Sequence, residues 1–284
     1  MNQQSTVSVS WLEEHLEDAN VRIVDASWHL PTADRDAKAE YQNQHILGAV
    51  YFDIDQCSTA GPLPHTLPSE EDFAQYVGGL GIGDKDTIVI YDSVGLFSAA
   101  RVWWMFRHFG SRTVRVLEGG LPAWQSAGLP TEQGEWSGES CVYQPTQESA
   151  SRFQVADAEQ VLDASNTGKK IILDARSAAR FSGAEKEFRP GLRSGHIPNS
   201  KNVPFTHLLS QGFLKEDAEL QAIFGAAGVD EGSRVITSCG SGVTAAVLCL
   251  ALDRIGVENV ALYDGSWSEW GGLIQMPVDT TVGD

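Results

Sequence analysis

The chain has 284 residues, enough for about two domains that each bury a core. Its 42% hydrophobic and 20% charged residues read as a soluble globular protein. The formal net charge of -18 argues against nucleic acid and anionic membranes as partners, and any anionic substrate needs a local cationic site.

The segment 1–11 is polar and has no cationic flank followed by an apolar run, so no secretory signal is expected. Short β-branched runs at 22–25, 87–91 and 114–117 predict buried strands, and 97–109 predicts a helix ended by Gly110. Residues 131–151 are rich in Gln, Glu, Ser and Gly and lack helical periodicity, as a join between domains does. Within that join Cys141, Val142 and Tyr143 are apolar enough to pack against a domain surface. Strands then follow at 170–173, 234–237 and 259–262, with a helix over 243–255 ended by Gly256. The longest apolar stretch, 245–252, is too short to span a bilayer.

The chain repeats itself. Val21-Arg-Ile-Val-Asp25 corresponds to Ile171-Ile-Leu-Asp174, and His45-Ile-Leu-Gly to His196-Ile-Pro-Asn. Thr87-Ile-Val-Ile-Tyr-Asp92 corresponds to Arg234-Val-Ile-Thr-Ser-Cys239, and Gly-Leu-Pro-Ala-Trp124 to Gly-Ser-Trp-Ser-Glu-Trp270. Four landmarks recur in one order at offsets of 146 to 151 residues, which reads as two homologous domains. The expected boundaries are 1–131, a linker over 132–151, and 152–284. Strands alternating with helices imply an α/β fold, each domain a parallel sheet flanked by helices on both faces. Ligands of such sheets bind beyond the carboxyl ends of the strands.

Beyond the strand at 234–237 the chain reads Ser-Cys239-Gly-Ser-Gly-Val-Thr244. The glycines allow a tight curl that turns successive N–H groups inward, and the following helix adds its own unpaired N–H groups. A thiolate or persulfide anion is stabilised in such a nest, where cysteine pKa values fall to roughly 3.5–7.5. This points to Cys239 as a nucleophile. Cys249 lies in an apolar helical run and reads as core. The first half carries Asp92 in place of Cys239, with a loop one residue longer. It is therefore expected to be non-catalytic and to serve as a structural partner that helps close the site.

The loop Cys239-Gly-Ser-Gly-Val-Thr resembles the active loop of the 3-mercaptopyruvate sulfurtransferases, a two-domain branch of the rhodanese family. Asp25-Ala-Ser-Trp28, Phe52-Asp-Ile-Asp55, Arg101-Val-Trp-Trp104, Gly195-His-Ile-Pro198 and Tyr263-Asp-Gly-Ser-Trp267 carry the resemblance along nearly the whole chain. It implies tandem rhodanese-like domains with a persulfide-bearing Cys239. Residues Gly240, Gly242, Val243 and Thr244 would cradle the sulfur. The donor would be 3-mercaptopyruvate, and the acceptor a thiol such as thioredoxin, or cyanide in the test tube. Thiosulfate-specific rhodaneses typically carry Cys-Arg-Lys-Gly-Val-Thr, with cations where this chain has neutral Gly240 and Ser241.

A mercaptopyruvate carboxylate suits the planar fork of arginine. The resemblance assigns it to Arg180 and Arg189, nine residues apart, although Phe188 stands where the family often has proline. Arg176 and Lys186 read as surface or interdomain groups, and Arg193 as a surface group. The resemblance further implies a proton relay through Ser241, His65 and Asp55. His45 and His196 occupy equivalent repeat positions, which favours a shared role in the fold.

Three rival readings stay open. One is a thiosulfate:cyanide sulfurtransferase of the same fold. A second is a phosphatase, disfavoured because no arginine follows Cys239 until Arg254. A third is a non-enzymatic sulfur-relay or interaction module. No Walker loop, dinucleotide fingerprint or metal-ligand cluster is present in the sequence, so no cofactor and no metal are expected. Four widely spaced cysteines without a C-x-x-C (57, 141, 239 and 249) fit a reducing cytoplasm.

Overall fold

A computed structural model describes residues 5–111, 113–145 and 153–281. The chain forms two compact units. The first comprises residues 1–59, 67–151 and 211–214, and the second comprises 60–66, 152–210 and 215–284. Each unit thus includes a short segment from the other half of the sequence.

The first unit contains β1 (Thr6–Val7), α1 (Val9–Glu14), β2 (Val21–Asp25), α2 (Ala37–Asn43), β3 (His45–Ile46) and β4 (Val50–Tyr51). It continues with α3 (Glu70–Gly79), β5 (Thr87–Tyr91), α4 (Ala99–His108), β6 (Val114–Leu117), α5 (Gly120–Ser126) and β7 (Thr131–Glu132). Five of these strands form a parallel sheet in the order β1-β6-β5-β2-β4. One face packs Val7, Leu12, Ile23, Val89, Leu117 and Trp124 into a core. Helix α4 supplies Phe106 to a second aromatic cluster, in which Phe73 meets Phe106 at 5.3 Å and Tyr143 at 5.8 Å between ring centroids.

The join read over 131–151 is not a free tether where it is described. β7 pairs antiparallel with β3, and Trp136 covers Gly81. The Cys141 N–H donates to the Gly78 carbonyl, and the Tyr143 hydroxyl meets Ser111 Oγ at 2.6 Å. Tyr143 is therefore buried, while Val142 is exposed.

The second unit contains β8 (Phe153–Ala156), α6 (Ala158–Thr167), β9 (Ile171–Asp174), α7 (Ala178–Phe181) and β10 (Lys201–Asn202). The short strands β11 (Leu209–Ser210) and β12 (Phe213–Leu214) precede α8 (Asp217–Ala226), β13 (Arg234–Ser238), α9 (Ala245–Arg254), β14 (Asn259–Tyr263) and α10 (Ser266–Trp270). Its parallel sheet has the order β10-β9-β13-β14-β8, the same arrangement as in the first unit. On one face Ile172, Ile236, Tyr263, Trp267 and Trp270 form a core. On the other, α9 is buried along Ala245 to Leu252, which explains its almost wholly apolar sequence.

The sheet order places the site. β9 leads outward to β10, whereas β13 leads the opposite way to β14. The loops after β9 and β13 therefore diverge, and ligand crevices form at such switch points. Both central helices begin two residues later than their apolar pattern suggests, at Ala99 and Ala245, because the residues before them belong to the loops. Both end before a glycine in the left-handed region, Gly110 at φ 93° and Gly256 at φ 85°.

Candidate active site

Cys239 follows the last residue of β13 and is only 2% exposed. Its N–H donates to Ser266 Oγ at 3.2 Å, and Ser266 Oγ donates to the Tyr263 carbonyl at 2.7 Å. Its carbonyl accepts the Trp267 N–H, while the Gly240 carbonyl accepts both the N–H and the hydroxyl of Ser268. The corner between β14 and α10 thus clamps the start of the loop through its outward carbonyls. Gly242 takes φ 80°, a left-handed conformation open to glycine at no steric cost. Among the described residues, no protein acceptor takes a hydrogen bond from the N–H groups of residues 240–245. Ser241, Gly242 and Val243 are buried and Thr244 is partly exposed. The loop therefore presents a run of unpaired donors beside one sulfur atom, the composition of an anion nest at a helix start.

Arg180 reaches this loop from α7. A Cβ built on Gly240 would lie 3.1 Å from Arg180 Nη2 and 3.8 Å from Nη1. The absence of a side chain at Gly240 is what gives the guanidinium its seat. Arg189 meets the same neighbourhood through Phe188. Its Cζ lies 4.8 Å from the centroid of the Phe188 ring, and Arg180 Cζ lies 5.1 Å from that ring. Phe188 thus acts as a shared platform for both cations.

Behind Arg180 stands an ionic chain whose role the sequence reading missed. Asp174, the last residue of β9, accepts a forked pair of hydrogen bonds from Arg176, at 3.1 Å from Nε and 2.6 Å from Nη2. Arg176 Nη1 donates to Glu187 Oε1 at 2.8 Å, and Glu187 in turn accepts from Arg180 Nε at 3.2 Å and Nη2 at 2.5 Å. Arg176 also stacks on Trp267, 4.3 Å from the ring centroid, and its side chain is 1% exposed. The expectation that Arg176 is a surface or interdomain group is therefore corrected. An arginine in a charged stretch reads as solvated, and only its burial against Asp174 reveals otherwise. Arg193 is likewise committed to structure, with its guanidinium donating to the carbonyls of Trp270, Gly271, Leu273 and Met276.

The expected proton-relay residues are distributed as follows. Ser241 lies in the cysteine loop, 6% exposed. His65 is 4% exposed, takes φ 60°, and belongs to the segment 60–66 that clusters with the second unit. Asp55 belongs to the first unit, where its Oδ2 accepts the indole N–H of Trp28 at 3.1 Å. His45 and His196 are both buried, and each bonds a backbone carbonyl through Nδ1, at Tyr41 and Phe181 respectively. All four cysteines are free, and burial pushes the Cys57 thiol up to about 12, which leaves it a packing group. Among the described residues, no cluster of side chains is suited to a metal ion.

The Rhodanese-like domain family profile matches residues 8–127 and 157–273. The chain is 46% identical to the 3-mercaptopyruvate sulfurtransferase of Escherichia coli K12 over 278 residues, covering 96% of this chain and 97% of that one. It is 42% identical to the thiosulfate sulfurtransferase of Cricetulus griseus over 290 residues, covering 98% and 95%. Its fold superposes on the crystal structure of the Escherichia coli 3-mercaptopyruvate sulfotransferase SseA with a TM-score of 0.84 at 42% identity, covering 93% of this chain and 99% of that one.

Proposed function

The chain belongs to the rhodanese family, and from that premise we propose that it is a 3-mercaptopyruvate sulfurtransferase working through a Cys239 persulfide. The observation that carries this reading is Arg180 seated on Gly240 beside the unpaired N–H groups of the Cys239 loop. That arrangement offers one forked cation for a carboxylate and one nest for a sulfur anion. An arginine at position 240, as in the thiosulfate-type loop, would place its Cβ 3.1 Å from Arg180 Nη2 and set a second cation beside the first.

Arg180 and Arg189 dock the carboxylate of 3-mercaptopyruvate. The Cys239 thiolate attacks the substrate sulfur, forming an S–S bond as the C–S bond breaks. The departing electron pair becomes the enolate of pyruvate, which takes a proton by way of Ser241 and His65. The N–H groups of residues 240–244 hold the persulfide, and the Thr244 hydroxyl adds to this cradle. A thiol acceptor such as reduced thioredoxin, or cyanide, then removes the outer sulfur and regenerates the thiolate. The protein is read as cytoplasmic from its free, widely spaced cysteines. No described helix is long and apolar enough to cross a membrane.

The likeness to a thiosulfate sulfurtransferase keeps thiosulfate as a second donor to be measured. The test is kcat/KM for 3-mercaptopyruvate and thiosulfate with one thiol acceptor, with Cys239→Ser as blank. The expected result is a preference for mercaptopyruvate of at least about tenfold, abolished in the variant. A preference for thiosulfate moves the assignment to the second donor, and turnover surviving in the variant sinks the persulfide mechanism.

A further inference from the structure

Arg180 has two edges. Its Nε–Nη2 edge is held by both oxygens of Glu187, at 3.2 and 2.5 Å, in a two-point fork. Its Nη1–Nη2 edge faces Gly240, as the approach of both nitrogens to a Cβ built there requires. Nη1 donates to no protein acceptor among the described residues. Glu187 is itself held. Its side chain is 2% exposed, and Oε1 also accepts Arg176 Nη1, which is anchored to Asp174 and to the Gly195 carbonyl. A rigid path therefore runs from the end of β9 to the edge of Arg180 that looks onto the cysteine loop.

An arginine on a flexible stem loses rotamer freedom when it binds an anion, and a bidentate fork requires its plane to be correctly turned. A side chain held on one edge by a buried carboxylate has lost that freedom in advance, and its second edge is already aimed. We infer that Glu187 is the positioning residue for the substrate carboxylate, holding Arg180 by its inner edge so that the outer edge binds the donor. This inference rests on the proposed mercaptopyruvate reading and adds to it a residue that touches neither substrate nor sulfur. It also accounts for an acid beside a site that must attract an anion. Glu187 stands between buried Arg176, already paired with Asp174, and the half-buried Arg180, and so offsets the charge of Arg180 on its inner side, while the face of Arg180 turned to the loop keeps its donors.

The role predicts an effect on the donor half-reaction alone. Glu187→Gln keeps the shape but replaces one acceptor oxygen by a donor, so the fork on Arg180 is broken. KM for 3-mercaptopyruvate is expected to rise about tenfold or more, with kcat changed by less than about threefold. Transfer to cyanide from Cys239 persulfide preloaded with inorganic polysulfide is expected to keep its wild-type rate. Glu187→Asp retains the buried negative charge and so guards against a misfolded variant. Its shorter side chain cannot span both arginines, and a smaller rise in the same KM is expected. Unchanged KM in both variants overturns the inference, as does an equal loss in both half-reactions, which would mark a merely structural role. A wild-type protein that does not turn over mercaptopyruvate overturns the functional reading and this inference with it. An active wild type with unaltered variants overturns only the role of Glu187.

Discussion

The two units send the same kind of loop from the same strand into the same buried helix, and satisfy its N–H groups in opposite ways. In the first unit Asp92 is 1% exposed, and its carboxylate accepts the N–H groups of Val94 at 3.1 Å, Phe97 at 2.7 Å and Ala99 at 3.0 Å. In the second, Cys239 has no such oxygens, and the N–H groups of residues 240–245 have no protein acceptor among the described residues. One loop carries its own permanent anion; the other is built to receive one. The strand beside each loop repeats the contrast. Asp174 is followed by Arg176, which neutralises it, whereas Asp25 is followed by Ser27. Burial pushes the Asp25 carboxyl up to about 6, with the hydrogen bond from Ser27 pulling the other way. The same strand end thus serves as an ionic support in one unit and carries a buried acid of raised pKa in the other.

Moving the cysteine tests how much the loop alone contributes. In the double variant Cys239→Ser with Asp92→Cys, sulfur transfer from mercaptopyruvate is expected to stay at least about 10³-fold below wild type in a pyruvate-release assay. The reason is that Pro31 stands at the repeat position of Arg180, and the arginine that does reach the first loop, Arg35, meets the Ser93 side chain at 3.5 Å where the second loop has the open Gly240. Recovered turnover would show that a nest and a thiol suffice without the arginine seat.

Removing the internal anion is the next step. Asp92→Ala strips the acceptor from three N–H groups and is expected to destabilise the protein by about 2–4 kcal/mol, read from urea unfolding. A loss under about 0.5 kcal/mol would mean that the loop closes without its carboxylate.

The smallest effect concerns the strand end. Because the folded-state pKa of Asp25 lies above its unfolded value of about 3.9, the folded protein binds the proton more tightly. Stability is therefore lost as pH rises from about 4 through about 6. Asp25→Asn is expected to gain at most about 3 kcal/mol over wild type at pH 8, and nothing below about pH 4. A difference that does not vary with pH would remove the contrast with Asp174.

Much of this architecture is legible in the sequence where the physics is local. The runs Thr87–Tyr91 and Val114–Leu117 are β-branched and buried, and they form strands over those same residues. The edge strands Thr6–Val7, Val50–Tyr51 and Lys201–Asn202 are two residues long and carry no pattern of their own, since they exist only by pairing with a longer neighbour. The Cys239 loop is visible because a strand, a cysteine, glycines and a helix follow one another without a break. Arg180 is marked in the sequence only by family resemblance; its approach to Gly240 is visible in the structure alone. Glu187 and Arg176 stayed hidden because a charge that becomes buried looks the same in sequence as one left in water. Ser266 and Ser268 carry no signal of their own in the sequence; their hydroxyls bond the loop backbone, a contact made across the turn after β14.

The exchange of short segments between the two halves has a genetic consequence. A chain severed anywhere in 132–151 yields one piece without residues 211–214 and another without residues 60–66. The first lacks Gly212 and Phe213, which lie against Gly95 and Gly119, and the second lacks His65. Each half of the sequence thus completes its unit with a short segment of the other, and neither unit is encoded by one uninterrupted stretch of gene.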